Sequence, residues 1–328
     1  MADLIGQLNY WRPWMTDAFI RPDVQMILTM MEASDAPQMS DVTPVEAREM
    51  YNAMASMLEA DAVEIARIED LSCSGPAGDI PLRLYDSQSE RTEETPLIMF
   101  YHGGGFVIGD LDSHHSFCTY ISKAMDLPVV AVDYRMGPEA PFPAAPEDSI
   151  AATRWVAENQ ETLKLKLSGL IPCGDSAGGN LTLVVGQALA TEPASVPIVA
   201  QFPIYPATRM DAEGGSMDEF AEGFLLTKDS MEYFNSHYAP KDDDIQVSPY
   251  LGDVSNSPPT VLITAGLDPL RDQGREYAGE LIKHGVNTTY IEMPGNVHGF
   301  INLRKAVPSA QIDVDKMVAA WKTLLAGL

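Results

Sequence analysis

Short apolar runs alternate along most of this chain with amphipathic segments whose apolar residues lie three or four positions apart. Runs of the first kind predict buried strands, and segments of the second kind predict helices. The pattern gives strands at 63–68, 80–85, 97–101, 129–133, 169–173, 198–204, 260–266 and 287–293, and helices at 43–59, 114–126, 147–159, 177–190, 270–284 and 313–326. Such alternation predicts an α/β fold with a mostly parallel sheet, helices on both faces, and functional sites at the carboxyl ends of the strands.

Two segments depart from this alternation. Residues 1–42 carry apolar side chains, among them Trp11 and Trp14, at helix-like spacing that Pro13 and Pro22 interrupt. The stretch from about 206 to 254 is too long for a plain connection, and its part from 225 to 234 has helical spacing. We expect these two segments to form a helical cap, with residues 43–328 forming the main domain that carries the insertion.

Positions 174–179 read GDSAGG and lie between a predicted strand and a predicted helix. A serine in such a strand-to-helix turn is exposed for nucleophilic attack, and the flanking glycines avoid collisions in the tight turn. The sequence therefore predicts Ser176 as a nucleophile. Pro172 lacks the N–H that a central strand donates, so we expect the entering strand to pair incompletely or to bulge there.

A glycine-rich loop, HGGGF at 102–106, follows the predicted strand at 97–101. Consecutive glycines allow backbone N–H groups to approach a developing oxyanion, and the residue after the nucleophile can donate another. We predict Gly104, Gly105 and Ala177 as these donors. His102 is predicted to brace the loop.

An acid and a base follow the nucleophile in chain order. Asp268 comes directly after one predicted strand, and His298 follows the last one. Ser, Asp and His in this order can form a catalytic triad in which the histidine is the base and the aspartate orients it. Asp268 could also cap the helix that begins near Pro269, and Asp272 is the rival acid.

Two further groups of residues bear on substrate binding and on metal binding. Phe106, Tyr205, Phe224 and Leu225 are candidates for the substrate pocket, whereas His114 and His115 are interpreted as a surface pair because no ligand set accompanies them. No metal site is predicted.

The amino-acid composition and net charge limit the classes of molecule that this chain is expected to bind. The chain has 328 residues, a formal net charge of −26 and 45% hydrophobic residues. This charge argues against nucleic acid and anionic membranes as partners and favours a neutral small molecule. The odd cysteine count and the lack of a signal-like N-terminus or a long apolar run predict a cytoplasmic protein.

The chain carries HGGGF at 102–106, DYR at 133–135 with PE at 138–139 and PFPAA at 141–145, GDSAGGN at 174–180, DPLRD at 268–272, and HGF at 298–300. Together these motifs resemble those of the bacterial hormone-sensitive-lipase-like esterases, also called family IV. The resemblance implies a capped α/β-hydrolase fold, a two-step serine mechanism on short acyl esters, no metal or organic cofactor, and frequently a homodimer.

Two alternatives stay open at this point. The same triad could serve an amidase or a deacetylase, because pocket shape sets acyl specificity. The fold also serves as a non-catalytic small-molecule-binding protein, in which the nucleophile or the base is typically replaced. Both Ser176 and His298 are present here. The sequence therefore favours a serine carboxylesterase acting on short, neutral esters.

Overall fold

The computed structural model describes residues 18–34, 36–241 and 243–328. Trp11, Trp14 and the other residues of the predicted cap before position 18 lie outside the described residues.

An eight-stranded sheet forms the centre of the described part, in the order β1-β2-β4-β3-β5-β6-β7-β8. Strands β3 to β8 pair in parallel, while β2 runs antiparallel to both β1 and β4. The strands are β1 Arg67–Gly75, β2 Gly78–Asp86, β3 Thr95–Tyr101, β4 Val129–Val132, β5 Leu167–Asp175, β6 Phe202–Ile204, β7 Thr260–Leu267 and β8 Thr288–Val297. The predicted α/β class is therefore confirmed, with an antiparallel start.

Helices cover both faces of the sheet. Those in the described ranges are α1 Pro22–Glu32, α2 Pro44–Leu58, α3 His115–Met125, α4 Ala144–Glu158, α5 Gln160–Leu163, α6 Ala177–Thr191, α7 Ser216–Glu219, α8 Lys228–Tyr238, α9 Arg271–Lys283 and α10 Pro308–Ala326. Helix α2 begins at a capping box in which the Thr43 side chain accepts from the Glu46 N–H. Among the described residues, no helix has both the length and the apolar character needed to cross a membrane.

The predicted strand at 63–68 is wrong, because β1 begins only at Arg67. The backbone N–H of Val63 donates to Thr119 Oγ1 over 3.0 Å, and Ser116 Oγ donates to the carbonyl of Ala60 over 2.7 Å. This segment therefore runs across helix α3 and its apolar alternation reflects packing there. In the 206–254 stretch, the helix predicted from 225 begins later, at Lys228.

Pro172 disturbs one side of β5, as its missing N–H predicted. Pairing with β3 continues through Met99 and Pro172. Towards β6, Leu170 pairs with Ile198 and Cys173 pairs with Phe202, so three steps on β5 oppose four on its neighbour. The extra residue belongs to the segment from Ile198 to Phe202, so the bulge lies on the neighbour of β5 and β5 itself pairs incompletely at Pro172.

Large apolar side chains fix the sheet against its helices. Trp321 of α10 is fully buried and stacks on Phe202, with ring centroids 4.7 Å apart. Every residue of β7 is buried. Because tightly packed interiors resist displacement, the carboxyl ends of β5 and β7 hold the turns that leave them in fixed positions.

Candidate active site

Ser176 occupies the turn between β5 and α6 in a strained conformation, with φ 56° and ψ −116°. Its N–H donates to the carbonyl of Ile204 at the end of β6, over 2.9 Å. A Cβ at Gly178 would overlap the carbonyl oxygen of Tyr101, so only glycine allows α6 to approach β3 this closely. The turn is therefore held by its neighbours, and a non-glycine residue persists at positive φ where the surroundings enforce it.

Ser176, His298 and Asp268 form a continuous hydrogen-bonded chain. Ser176 Oγ lies 2.8 Å from His298 Nε2, and His298 Nδ1 lies 2.7 Å from Asp268 Oδ2. His298 is 7% exposed and Asp268 is completely buried. Since a carboxylate accepts only, Nδ1 carries the imidazole proton and Nε2 is free to accept one from the serine.

Asp268 has a second contact, because its Oδ1 accepts the N–H of Leu270 over 2.8 Å. The helix-capping alternative and the contact with His298 thus occur together. The rival acid Asp272 lies elsewhere, where it accepts the N–H of Ser216 over 2.9 Å and pairs with Arg271.

The glycine loop after β3 has each of its first three carbonyls bonded. The hydroxyl of Tyr134 donates to His102 O over 2.6 Å, His102 Nδ1 lies 2.8 Å from Gly103 O, and Gly104 O accepts the N–H groups of Val107 and Ile108 over 3.0 and 2.9 Å. In a planar trans peptide the N–H points opposite to the carbonyl. The N–H groups of Gly104 and Gly105 therefore point away from these contacts.

These two N–H groups have no acceptor among the described residues. Ala177 is the first residue of α6, so its N–H has no partner within the helix either. The three donors named from the sequence are thus all available for an external acceptor.

A buried carboxylate lies beneath the loop. Asp175 Oδ1 accepts the N–H of Gly103 over 2.8 Å and lies 3.2 Å from His114 Nε2. Burial by itself would raise the pKa of Asp175, but the His114 imidazole, the His298 imidazole and the Gly103 N–H outweigh it and lower the pKa below its ordinary value of 3.8. The interpretation of His114 as a surface residue is wrong, since it is 1% exposed and faces Asp175.

His102 is neutral in this environment. Burial, with a smaller contribution from His114, lowers the pKa of His102 to about 4. The ring stacks on Tyr134 with centroids 4.3 Å apart. Because a carbonyl cannot donate, the contact with Gly103 O places the imidazole proton on Nδ1.

The four pocket candidates differ in position. Phe106 is buried and stacks on Tyr238 at 4.1 Å, and Tyr205 is buried with its ring 4.6 Å from that of His298. Phe224 packs edge-on against Phe220. Leu225 is half-buried, and its Cδ2 lies 3.8 Å from where a Cβ on Gly299 would be. Leu225 thus approaches the His298 loop, whereas Phe106 and Tyr205 serve packing; their role in a pocket stays a prediction.

Sequence reasoning missed Phe234. A Cβ at Gly105 would overlap its ring, so this residue of α8 packs directly on a glycine of the loop that follows β3. The apolar spacing of the segment predicted a helix but gave no sign of which turn would face the loop.

The described residues contain no group of three or more His, Cys, Asp or Glu arranged to hold a metal ion. Burial raises the pKa of the Cys173 thiol well above 9.0. This thiol beside the turn is therefore protonated and a poor nucleophile.

Comparison with known proteins places the chain among ester hydrolases. A family model described as the alpha/beta hydrolase fold matches residues 98–302. The chain is 38% identical over 269 residues to the carboxylic ester hydrolase LipN of Mycobacterium tuberculosis, covering 79% of this chain and 70% of that protein. It is 33% identical over 311 residues to an ethyl acetate hydrolase of Pseudomonas putida, covering 92% and 98%. A solved ester hydrolase from the metagenome of Lake Arreo has a TM-score of 0.89 at 36% identity, covering 94% of this chain and 100% of that one.

Proposed function

Because this chain belongs to the alpha/beta-hydrolase family, we propose that it is a serine carboxylesterase in which Ser176 is the nucleophile, His298 the base and Asp268 the acid. The observation that carries the proposal is the chain of two short contacts, 2.8 and 2.7 Å, that joins these side chains. A non-catalytic binding protein needs no such chain, whereas nucleophilic catalysis requires the base within hydrogen-bond reach of the nucleophile and oriented by a third group.

The mechanism uses each of these groups in turn. Ser176 Oγ attacks the ester carbonyl as its proton passes to His298 Nε2, and Asp268 stabilises the resulting imidazolium. The carbonyl oxygen becomes an oxyanion and accepts the N–H groups of Gly104, Gly105 and Ala177. His298 then gives its proton to the departing alcohol. A water molecule, deprotonated by His298, then attacks the carbonyl of the acyl-enzyme. The bond to Ser176 Oγ breaks, His298 returns the proton to this oxygen, and the acid is released.

Short acyl groups suit this site. Phe234 lies against Gly105 on one side, and Leu225 approaches Gly299 beside His298 on another. Both side chains belong to the 206–254 stretch, so side chains of that stretch approach both the oxyanion loop and the base. A relative at 33% identity is an ethyl acetate hydrolase, whose substrate carries a two-carbon acyl group.

The test compares wild type with Ser176→Ala on p-nitrophenyl esters from acetate to palmitate. We expect turnover that is highest for short acyl chains and lost in Ser176→Ala, while Ser255→Ala, at an exposed serine, matches wild type. A fluorophosphonate probe should label wild type and Ser255→Ala but not Ser176→Ala. Retained hydrolysis or labelling in Ser176→Ala would refute the nucleophile.

Assays with two further classes of substrate separate the alternatives. Faster turnover of matched p-nitroanilides than of p-nitrophenyl esters would assign the triad to an amidase, and release of acetate from acetylated sugars in preference to simple esters would assign it to a deacetylase. A folded protein that neither hydrolyses nor labels would be a binding protein.

A further inference from the structure

Helix α2 lies outside the sheet, yet polar side chains along it reach loops of the proposed active site. Arg48 contacts the residues after the oxyanion glycines, and Asn52 Nδ2 donates to Asp110 Oδ2 over 2.7 Å. These two positions are four residues apart, so they share one face of the helix. Just after the helix ends at Leu58, Glu59 pairs with Arg304 beyond His298. Helix α2 therefore makes polar contacts in addition to the apolar packing expected of a helix that merely covers the core.

Arg48 makes the most extensive of these contacts. Its Nε donates to the carbonyl of Val107 over 2.8 Å, and one terminal nitrogen donates to the carbonyl of Gly137 over 2.8 Å. The guanidinium also pairs with both carboxylate oxygens of Glu139, at 2.9 and 2.6 Å. The N–H of Gly137 in turn donates to the carbonyl of Phe106 over 2.9 Å. One planar guanidinium thus joins two loops, which no shorter or monodentate side chain can do.

The contact at Val107 continues to an oxyanion donor. The N–H groups of Val107 and Ile108 hold the carbonyl of Gly104. That carbonyl shares a peptide plane with the N–H of Gly105, so fixing one fixes the direction of the other. Arg48 is therefore connected to the Gly105 N–H through the turn from Gly104 to Ile108.

Apolar contacts reinforce this connection from the same helix. Ala47, Val107 and Ile108 form a small buried cluster with Tyr233 and Phe234 of α8 packed against it. Helix α2 precedes the strands in the chain and helix α8 lies between β6 and β7, so two distant segments meet at the oxyanion loop.

We infer that helix α2 positions the oxyanion loop and that Arg48 is the positioning residue through which it acts. Only the expected effect on turnover rests on the proposed ester hydrolysis. Arg48 does not touch the substrate. Its role is to keep the Gly104 carbonyl, and with it the Gly105 N–H, in the direction that the developing charge requires. Misplacing such a group by about 1 Å can cost up to about a hundredfold in rate.

The test is Arg48→Gln, whose amide cannot reach two carbonyls and a carboxylate together. We expect kcat on p-nitrophenyl acetate to fall about ten- to one-hundred-fold with little change in KM, because the oxyanion forms only after binding. Deuterium exchange of peptides covering 102–108 should become faster in this variant. Arg48→Lys, which keeps the charge and one donor, should give smaller changes of the same kind and replaces Arg48→Gln if that variant does not fold.

Arg154→Gln is the matched control. Arg154 also donates to two backbone carbonyls, those of Glu192 and Pro193, and its side chain is 32% exposed compared with 26% for Arg48. The Arg154→Gln variant should leave kcat and deuterium exchange at 102–108 unchanged. Unchanged exchange at 102–108 in Arg48→Gln, or an equal loss of kcat in Arg154→Gln, would overturn the inference. If Arg48→Gln exchanges faster at 102–108 but the wild-type protein hydrolyses no ester, the positioning role is supported and the proposed function is refuted.

Discussion

Replacing Asp268 with asparagine separates the charge of this residue from its shape. One carboxylate oxygen accepts the N–H of Leu270 and the other faces His298 Nδ1. Asparagine has only one acceptor oxygen, so keeping the Leu270 contact turns the amide nitrogen towards His298. The imidazole proton then moves to Nε2, where it points at Ser176 Oγ and prevents proton transfer from the serine.

The size of the expected loss of kcat depends on these two contacts. Reversing the amide restores the correct tautomer but leaves the buried N–H of Leu270 unpaired, at about 1–3 kcal/mol. The imidazolium that forms during attack also loses its charge-assisted partner, at about 1.5–3 kcal/mol. The two effects raise the barrier by roughly 2.5–6 kcal/mol, so kcat should fall about 10²- to 10⁴-fold.

The assay is steady-state hydrolysis of p-nitrophenyl acetate by Asp268→Asn, with Asp272→Asn as the matched control. Asp272 pairs with Arg271 and Arg275 and has no contact with His298, so its replacement should leave kcat within a few-fold of wild type. Circular dichroism checks that both variants are folded. If Asp268→Asn kept kcat within tenfold of wild type, or if Asp272→Asn lost as much, the assignment of the acid would be refuted.

Three further predictions concern residues around the candidate active site. Burial raises the pKa of Asp133 to about 6, above its unfolded value of 3.8, so the folded state binds the proton more tightly and stability falls as pH rises from about 4 to 6. Asp133→Asn should therefore raise the free energy of unfolding in urea by about 1–3 kcal/mol at pH 7.5, with no gain at pH 3.5. Tyr134→Phe removes the donor to His102 O and should cost about 1–3 kcal/mol of stability and lower kcat without changing KM; unaltered kinetics would show that this contact does not hold the loop. Glu59→Gln leaves the buried Arg304 guanidinium without its counter-charge and should cost about 3–5 kcal/mol by urea unfolding, which an unchanged midpoint would contradict.

Much of the fold could be predicted from local pattern. The α/β class and the strand-to-helix turn at Ser176 depend on periodicity and on glycine at fixed offsets, and both are visible within a few residues of sequence. The strand predicted at 63–68 failed because an apolar alternation looks the same whether the segment pairs in a sheet or, as at Val63, packs across a helix.

The long-range contacts could not be predicted in this way. His114 carries no local sign of burial, and its contact with Asp175 joins positions 61 apart only after β5 and α3 have packed. Arg48 and Phe234 are similar cases, since each lies on a helix whose spacing gives the helix but not the loop that it faces. Hydrogen bonds to backbone carbonyls, such as those of Arg48, leave no mark on the sequence of the acceptor.

The bonded carbonyls of the glycine loop also bear on how this protein could be altered. Tyr134, His102 and the turn at Val107 all hold the loop on the face opposite its free N–H groups. The groups that fix the direction of these N–H groups are therefore separate from Leu225, which lies beside Gly299 instead. A directed-evolution library at Leu225 and its neighbours is expected to change which ester is accepted while leaving the chemical step intact, whereas substitutions at Phe234, which packs on Gly105, will change both together.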